Sequence, residues 1–193
     1  MQDPDLDLVR DARNGSQSAF QKLVTNYYQM VYVVAFGILN HSEAARDTAQ
    51  EVFLKVFREL GKFEGKSKFK TWLYRIAVNA AIDEGRKKRP LESLDGGDDL
   101  EDEKPVITPV DHAPGPRDLA YQSELREAIA RALEGLSSDH RAVLVLREFQ
   151  DLSYEEIAET LQIEVGTVMS RLFYARKKLA EILSSKMGEA KTK

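Results

Sequence analysis

Apolar residues recur at three- and four-residue steps over most of the chain, which is the spacing of amphipathic helices. Three such patterns follow one another in the first third of the sequence. A short one lies within residues 3–15, a longer one begins after the capping residue Ser16, and a third begins after Ser42 and ends at Gly61. The pattern predicts three consecutive helices of one all-α domain.

The third predicted helix has two different sides. Its apolar positions, which we expect to be buried, are Val52, Phe53, Val56, Phe57 and Leu60. The positions left on its outer surface are Asp47, Gln50, Glu51, Leu54, Lys55 and Arg58. This division predicts that the first set packs into the core and that the second set remains exposed.

The stretch 63–89 predicts a long fourth helix with Ser67 as its N-cap. Its apolar side, expected in the core, consists of Phe69, Trp72, Leu73, Ile76, Ala77 and Ala80. At about 100 degrees per residue, a second stripe is turned away from that core. This stripe consists of Arg75, Asn79, Ile82 and Arg86. Because the stripe is coherent and points outward, it predicts a binding partner.

Nucleic acid is the partner that this stripe favours. Arg75 and Arg86 can neutralise phosphates, while the Asn79 amide can both donate to and accept from a base edge. The loop before the helix mixes cations with aromatic rings, which suits single-stranded nucleic acid. The loop residues concerned are Lys62, Phe63, Lys66, Lys68, Phe69 and Lys70. For this stretch alone, a solvated basic face with Trp72 as an ordinary core residue is the alternative.

Helical periodicity stops at Pro90 and resumes at Asp118. The segment between them contains Gly96-Gly97 and the acidic run DDLEDE at 98–103, which is the composition of a flexible linker. Its acidic run lacks the central glycine and the final glutamate of an EF-hand loop, so no metal site is predicted. The segment therefore separates two helical domains.

The linker also explains the net charge of −4, which at first sight argues against nucleic-acid binding. Residues 1–90 carry 15 cationic and 11 anionic side chains, residues 91–120 carry 2 and 9, and residues 121–193 carry 11 and 12. The negative charge is concentrated in the middle of the chain. The first domain is therefore basic, and basic surface is what DNA requires.

The second half ends in a helix-turn-helix pattern at residues 153–178. Ser153 and Glu156 form the sequence signature of a capping box at its first helix. The apolar positions that such a crossing buries are Ile157, Ala158, Leu161, Ile163, Val168 and Leu172. Gln162 stands at the turn, so that either a non-glycine residue adopts a left-handed conformation there or the turn is built differently.

The second helix of this pattern has a distinctive outer face. The outward positions are Ser170, Phe173, Tyr174 and Lys177, flanked by Arg171, Arg176 and Lys178. The cations can hold phosphates, Ser170 can reach a base edge, and Phe173 or Tyr174 can touch a thymine methyl in the major groove. A helical hairpin whose basic face contacts protein remains the alternative.

Composition excludes several other classes. The chain has no cysteine, its three histidines are scattered, and it has no glycine-rich phosphate loop. We therefore predict no enzyme active site, no metal and no cofactor. The N-terminus lacks a signal peptide and no apolar run is long enough to span a bilayer, which predicts a cytoplasmic protein without membrane insertion of its own.

Three blocks of the sequence resemble one known family. They are DTAQEVFLKVFR at 47–58, FEGKSKFKTWLYRIAVNAAIDEGRKKR at 63–89 and LSYEEIAETLQIEVGTVMSRLFYARKKL at 152–179. They are similar to regions two and four of sigma-70 family RNA polymerase sigma factors, in the compact extracytoplasmic function (ECF) group. The resemblance implies an all-α protein with a region 2 domain at 1–90, an acidic linker at 91–117 and a region 4 domain at 118–193.

The resemblance also implies roles for the surfaces described above. Asp47, Gln50, Glu51 and Leu54 would dock on core RNA polymerase. Residues 62–69 and Asn79 would capture an unpaired base of the minus-ten promoter element, while Arg75 and Arg86 would hold the DNA backbone. The helix-turn-helix would read the minus-thirty-five element, with Met169 and Tyr174 differing from the basic or polar residues that relatives often carry there. An anti-sigma protein would be a further partner, and the acidic linker would either mimic nucleic acid or act as a solvated tether.

Two alternatives from other classes can be distinguished from a sigma factor. A stand-alone helix-turn-helix regulator would account for residues 153–178 but not for the polar stripe within 63–89. A helical adaptor that binds only protein would show no salt-dependent affinity for DNA.

Overall fold

In the computed structural model, which describes residues 3–92, 133 and 135–190, every regular element is a helix. The α-helices are α1 Leu6–Arg13, α2 Gln17–Leu39, α3 Ser42–Glu59, α4 Phe69–Glu92, α5 Ser138–Leu144, α6 Tyr154–Leu161 and α7 Val165–Ala190. A 3₁₀ turn at Leu60–Lys62 follows α3, and a π-helical turn at Val145–Phe149 follows α5. The all-α prediction is confirmed. The predicted linker 91–117 lies almost wholly outside the described residues, and α4 continues two residues past the predicted boundary at 90.

Several predicted helix starts are confirmed by the hydrogen bonds at their caps. The hydroxyl of Ser16 accepts from the backbone N–H of Ala19 at the start of α2. At α6, Ser153 and Glu156 form both bonds of the capping box, at 3.1 and 2.8 Å. These caps depend on residues at most three positions apart, so the sequence is sufficient to predict them.

Two predicted caps are wrong, and both corrections have a geometric cause. Helix α3 is capped by His41, whose Nδ1 accepts from the Ala44 N–H at 3.2 Å, because Ser42 is already inside the helix. Helix α4 begins at Phe69, so that Ser67 lies outside it and its hydroxyl donates to the Lys68 carbonyl.

The carboxylate of Asp3 takes the place of the expected α4 cap. Its Oδ2 accepts from the Phe69 N–H at 2.7 Å, and its Oδ1 accepts from the Asp5 N–H at 3.1 Å. A carboxylate at this position also interacts favourably with the N-terminal end of the helix dipole. The start of the described chain is thereby tied to the start of α4.

Helices α2, α3 and α4 pack around the core of the first unit, and α1 closes it against α2. The largest fully buried side chains of this unit are Leu23, Val31, Val34, Ile38, Val52, Val56, Phe69, Leu73 and Val78. Phe57 was predicted in the core but is 61% exposed. It lies at the margin of the buried arc of α3, where the ring of Phe20 covers only one edge, at 5.1 Å between centroids.

The second unit packs directly against the first. Helix α5 contacts α2 and α4, α6 contacts α4, and the buried side chains of the two units form one continuous cluster. At the closest approach, a Cβ on Gly37 of α2 would lie 2.4 Å from Cγ2 of Val145. The Tyr74 hydroxyl of α4 donates to the Gln150 side chain at 2.9 Å.

The prediction that Ile82 faces outward is wrong, because Ile82 is buried in the shared core cluster with only 9% of its surface exposed. Tyr74, Val78 and Ile82 succeed one another at four-residue steps, so they lie along one side of α4. Tyr74 bonds to Gln150, which places that side against the second unit. The sequence pattern of the first unit alone does not indicate that this side of α4 faces a second unit.

The helix-turn-helix is formed by α6 and α7. Ile157 and Ala158 of α6 and Val168, Leu172 and Ala175 of α7 are buried. Gln162 has φ 55°, so the first of the two alternatives for the turn is the one observed. A left-handed conformation costs a non-glycine residue about 1 kcal/mol, which the packing of the two helices offsets. In the described parts of the chain, no helix has the length and apolar character needed to cross a bilayer.

Candidate nucleic-acid interfaces

The outer surface of α3 is the first candidate site. Asp47, Gln50, Glu51 and Leu54 are all exposed, and their three- and four-residue spacings place them on one side of the helix. Leu54 is 55% exposed and lies one turn before Phe57. An exposed apolar pair beside carboxylates is typical of a protein contact rather than a DNA contact. Phe57 was missed as part of this surface because the helical pattern alone assigned it to the core.

The loop before α4 presents cations but not aromatic rings. Lys62, Lys66 and Lys68 are exposed, and Lys66 forms an ion pair with Glu64. Phe63 and Phe69 are only 4% and 0% exposed, so the expectation that they offer ring faces to a base is wrong.

The physical reason is that the aromatic rings of this region pack against one another. Phe63, Phe69 and Trp72 form a cluster with centroids 5.2 to 6.0 Å apart, and Tyr27 adds a fourth ring against Phe69 at 5.6 Å. Such contacts stabilise the core and fix the start of α4. Lys70, for its part, lies over the Tyr74 ring.

The stripe on α4 keeps three of its four predicted members on the surface. Asn79 and Arg86 are exposed, and Arg75 is half-buried. No hydrogen bond or ion pair to another described residue engages these three side chains. They follow one another along a helix whose opposite side is buried, so their positions are rigid while their polar atoms are available.

The outer face of α7 is the other candidate site, and its polar groups are largely engaged within the unit. The Arg176 guanidinium donates from Nε and Nη2 to Oε1 of Glu148, at 3.2 and 2.6 Å. Arg171 lies 3.8 Å from Asp139. The hydroxyl of Ser170 donates to the Thr167 carbonyl at 3.0 Å. The bond between Arg176 and Glu148 was not foreseen, because the two residues are 28 positions apart in the sequence.

The bond to Glu148 has an electrostatic effect on Arg176. It is the main cause that raises the pKa of Arg176 above its ordinary value, with partial burial acting in the opposite direction. Arg176 therefore remains charged but is already paired. Lys177 and Lys178 are exposed and form no ion pair with a described residue, which leaves them as the available cations of this face.

The same face of α7 carries large exposed apolar side chains. Met169, Phe173 and Tyr174 are 54%, 63% and 60% exposed, and the last two rings pack edge to face with centroids 5.6 Å apart. Met169 and Phe173 border a shallow depression whose other lining residues are Tyr154, Leu172, Arg176 and Lys177. The face is thus apolar at its centre and basic beyond it.

The described residues contain no group of three or more acidic or histidine side chains placed to hold a metal ion. The sites consist instead of one acidic and apolar surface on α3, one polar stripe on α4 and one apolar and basic face on α7.

Comparisons with known proteins match both halves of the chain. The family described as Sigma-70 region 2 matches residues 23–90, and the family described as Sigma-70, region 4 matches residues 126–179. The RNA polymerase sigma-H factor of Pseudomonas aeruginosa is 36% identical over 195 aligned positions, which cover 98% of each chain. The ECF RNA polymerase sigma-E factor of Escherichia coli is 37% identical over 180 positions, covering 88% of each chain.

Two solved structures are similar over most of their length. One is CnrH in complex with the cytosolic domain of CnrY, with a TM-score of 0.68, 25% identity and coverage of 94% of this chain and 97% of that chain. The other is the sigma factor RpoE in complex with the anti-sigma factor NepR from Bartonella quintana, with a TM-score of 0.63, 25% identity and coverage of 86% and 96%.

Proposed function

The chain belongs to the ECF group of the sigma-70 family of RNA polymerase sigma factors, and from this membership we propose how its surfaces divide the work of transcription initiation. As an alternative sigma factor it binds core RNA polymerase and directs promoter recognition. The assignments of individual residues below are proposals.

The outer surface of α3 is proposed as the dock for core polymerase. Its members are Asp47, Gln50, Glu51 and Leu54, to which the exposure of Phe57 adds a second apolar side chain. A central apolar contact surrounded by polar groups is the usual anatomy of a protein interface.

The stripe on α4 is proposed as the reader of the minus-ten element. Asn79 would bond to the edge of an unpaired base, Arg75 and Arg86 would hold phosphates, and the lysines at 62, 66 and 68 would add positive charge beside them. Because Phe63 and Phe69 are buried in the core, they are assigned to positioning α4 rather than to stacking on a base. The availability of Asn79, between two cations on a rigid helix, is the observation that carries this proposal.

The face of α7 is proposed as the reader of the minus-thirty-five duplex. The second helix of a helix-turn-helix enters the major groove with its N-terminal turns against the base edges. Ser170, Arg171, Phe173, Tyr174, Arg176 and Lys177 lie on or beside the exposed face of α7. Lys177 has the clearest role in phosphate contact, because both arginines have carboxylate neighbours.

The test is run-off transcription with core polymerase on a pool of promoter fragments. The complete chain should direct new start sites that are absent with core enzyme alone. Asn79→Ala should reduce open-complex formation by at least tenfold while co-elution with core polymerase stays at the wild-type level. Asn26→Ala, the same change at an exposed position of α2, is the matched control and should leave both unchanged.

Two results would contradict these assignments. Wild-type promoter melting by Asn79→Ala would remove the base-reading role from α4. Absence of both new transcripts and co-elution with core polymerase would favour the stand-alone helix-turn-helix regulator instead.

We further propose that the protein acts without catalytic chemistry of its own, in the cytoplasm where core polymerase and promoters are found. An anti-sigma protein is proposed as its regulator, supported by the complexes of CnrH with CnrY and of RpoE with NepR. The division into domains at 1–90, 91–117 and 118–193 stays a prediction, because the residues that would define the second boundary lie outside those described.

A further inference from the structure

Met169 and Phe173 form an apolar surface on α7 that the fold itself does not use. They are 54% and 63% exposed and four residues apart, so they lie side by side on the helix. The core-facing side of α7 is already supplied by Val168, Leu172 and Ala175. Clustered, exposed apolar side chains of this size mark a contact site.

The position of this surface in the fold points to duplex DNA as its occupant. Met169 and Phe173 are the fifth and ninth residues of α7, which places them in the turns that reach base edges in a helix-turn-helix. The exposed Lys177 and Lys178 follow one turn later, where phosphates border the groove. This arrangement of charge around an apolar centre complements a major groove.

The glycine at the start of the same face agrees with a close approach by DNA. Gly166 is exposed and does not have a positive φ, and a Cβ built on it would meet no atom within 4 Å beyond its chain neighbours and the backbone of its own helix. The fold of the chain therefore does not require a glycine at this second position of α7. A partner that approaches the backbone of α7 supplies a reason.

The polar groups beside this apolar surface form hydrogen bonds within the protein, so the surface itself can recognise only an apolar part of a base. The Arg176 guanidinium is bonded to Glu148, and the Ser170 hydroxyl donates to the Thr167 carbonyl. In the major groove the only apolar group that a base pair presents is the C5-methyl group of thymine. The surface therefore matches thymine better than any other base.

We propose that α7 recognises thymine methyl groups in the upstream promoter element through Met169 and Phe173. This inference rests on the proposed role of α7 as the upstream reader. It specifies the bases that the helix selects, and it assigns a contact to the exposed side chain of Met169.

The test replaces thymine by deoxyuridine, which removes the methyl group and leaves the hydrogen-bonding edges unchanged. Holoenzyme is reconstituted from core polymerase and the full chain, and the upstream element is located by nuclease protection on a promoter found by run-off transcription. Replacing the thymines within the protected upstream element should weaken holoenzyme binding about fourfold per contacted methyl, equivalent to about 0.8 kcal/mol each.

Variants connect the effect to the residues. With Met169→Ala or Phe173→Ala, the ratio of holoenzyme affinities for thymine and deoxyuridine templates should fall towards one. Phe149→Ala removes a large apolar side chain that is 53% exposed outside α7, so it should keep the full difference.

Four results would overturn the inference. They are equal binding to both templates, an upstream element without thymine, sensitivity that persists in both α7 variants, and loss of sensitivity in the Phe149 control. If the upstream region is not protected at all, the proposed function of α7 fails and the thymine inference falls with it. Protection with no methyl dependence leaves the proposed function standing and removes the inference alone.

Discussion

The close approach of Gly37 to Val145 predicts that Gly37→Ala has opposite effects on the free energy of unfolding in the wild type and in a Val145→Ala protein. An alanine Cβ at position 37 would lie 2.4 Å from Cγ2 and 3.2 Å from Cγ1 of Val145. Val145 is 1% exposed and β-branched, so its rotation is restricted and exchanges one methyl for the other. Overpacking of this kind costs about 1–3 kcal/mol, against a gain of about 1 kcal/mol in helix propensity for replacing the glycine of α2. Gly37→Ala should therefore lower the free energy of unfolding by about 0–2 kcal/mol.

The same change should be favourable once the valine is shortened. Val145→Ala removes two methyl groups and should cost about 1.6 kcal/mol from lost burial alone, plus a contribution from the cavity. In that background the alanine at 37 no longer meets a methyl group, and the helix-propensity gain of about 1 kcal/mol remains. Gly37→Ala should thus stabilise the Val145→Ala protein while it destabilises or leaves unchanged the wild type.

Urea denaturation of the four proteins measures this coupling as a double-mutant cycle. The single tryptophan reports on the first unit, and far-ultraviolet circular dichroism reports on both. Gly61→Ala is the control, because a Cβ at position 61 would meet no atom within 4 Å beyond its chain neighbours, and no coupling with Val145→Ala is expected.

An additive cycle, with Gly37→Ala acting equally in both backgrounds, would refute the packing of α2 against the π-helical turn. A second readout separates opening of the contact from unfolding. The chain has no cysteine, so one engineered cysteine on each unit permits clean spin labelling. Gly37→Ala should shift the distance between the two labels to longer values if the units separate to relieve the clash.

Three further predictions concern single positions. Asp3→Ala removes the carboxylate that accepts from the Phe69 N–H, so the free energy of unfolding should fall by about 1 kcal/mol in urea denaturation, and an unchanged midpoint would contradict the capping role. Gly166→Ala should leave the isolated protein at least as stable in urea denaturation but weaken upstream protection by holoenzyme, and wild-type protection would count against a close approach of DNA. Burial, with the charge of Glu156 as a second cause, raises the pKa of Tyr74 above its ordinary value of 10.0. Its contribution to stability is therefore complete below pH 10 and is lost as the pH rises through the higher pKa of the folded protein. Tyr74→Phe should reduce the late-titrating tyrosinate absorbance without abolishing it, because burial and the hydrogen bond to Asp5 also raise the pKa of Tyr27. An undiminished late phase would show that Tyr74 does not contribute to it.

The features that the sequence predicted correctly are those determined by neighbouring residues. The cap at Ser16, the capping box at Ser153 and the buried side of α7 depend on spacings of three or four residues, so the helical pattern contains the information needed. The polar stripe on α4 was likewise visible, because Asn79 and Arg86 fall on one side of the helix by spacing alone.

The features that were missed depend on contacts between distant parts of the chain. Ile82 looks outward by helical spacing alone, but it is buried in the core cluster that the two units share. Asp3 caps a helix that begins 66 positions later, and Glu148 pairs with an arginine 28 positions away. Periodicity placed Phe69 correctly in the core, but the rings of Phe63 and Phe69 were also expected to face DNA, because the mixture of lysines and rings does not show whether a ring packs on other rings or is open to solvent.

Tyr74, Gln150 and the Gly37–Val145 approach hold the two units together. The free energy of this contact sets the fraction of molecules in which the units are apart. A partner that requires the units apart can bind only the separated population, and its apparent affinity is lowered in proportion to that fraction. If the contact contributes about 2.7 kcal/mol, such a partner loses about a hundredfold in affinity, while a partner that grips both units in place loses none. The strength of this contact therefore affects the relative affinities of partners that need the units together and partners that need them apart. A substitution at the contact would change the order of these affinities without altering any surface that the partners bind.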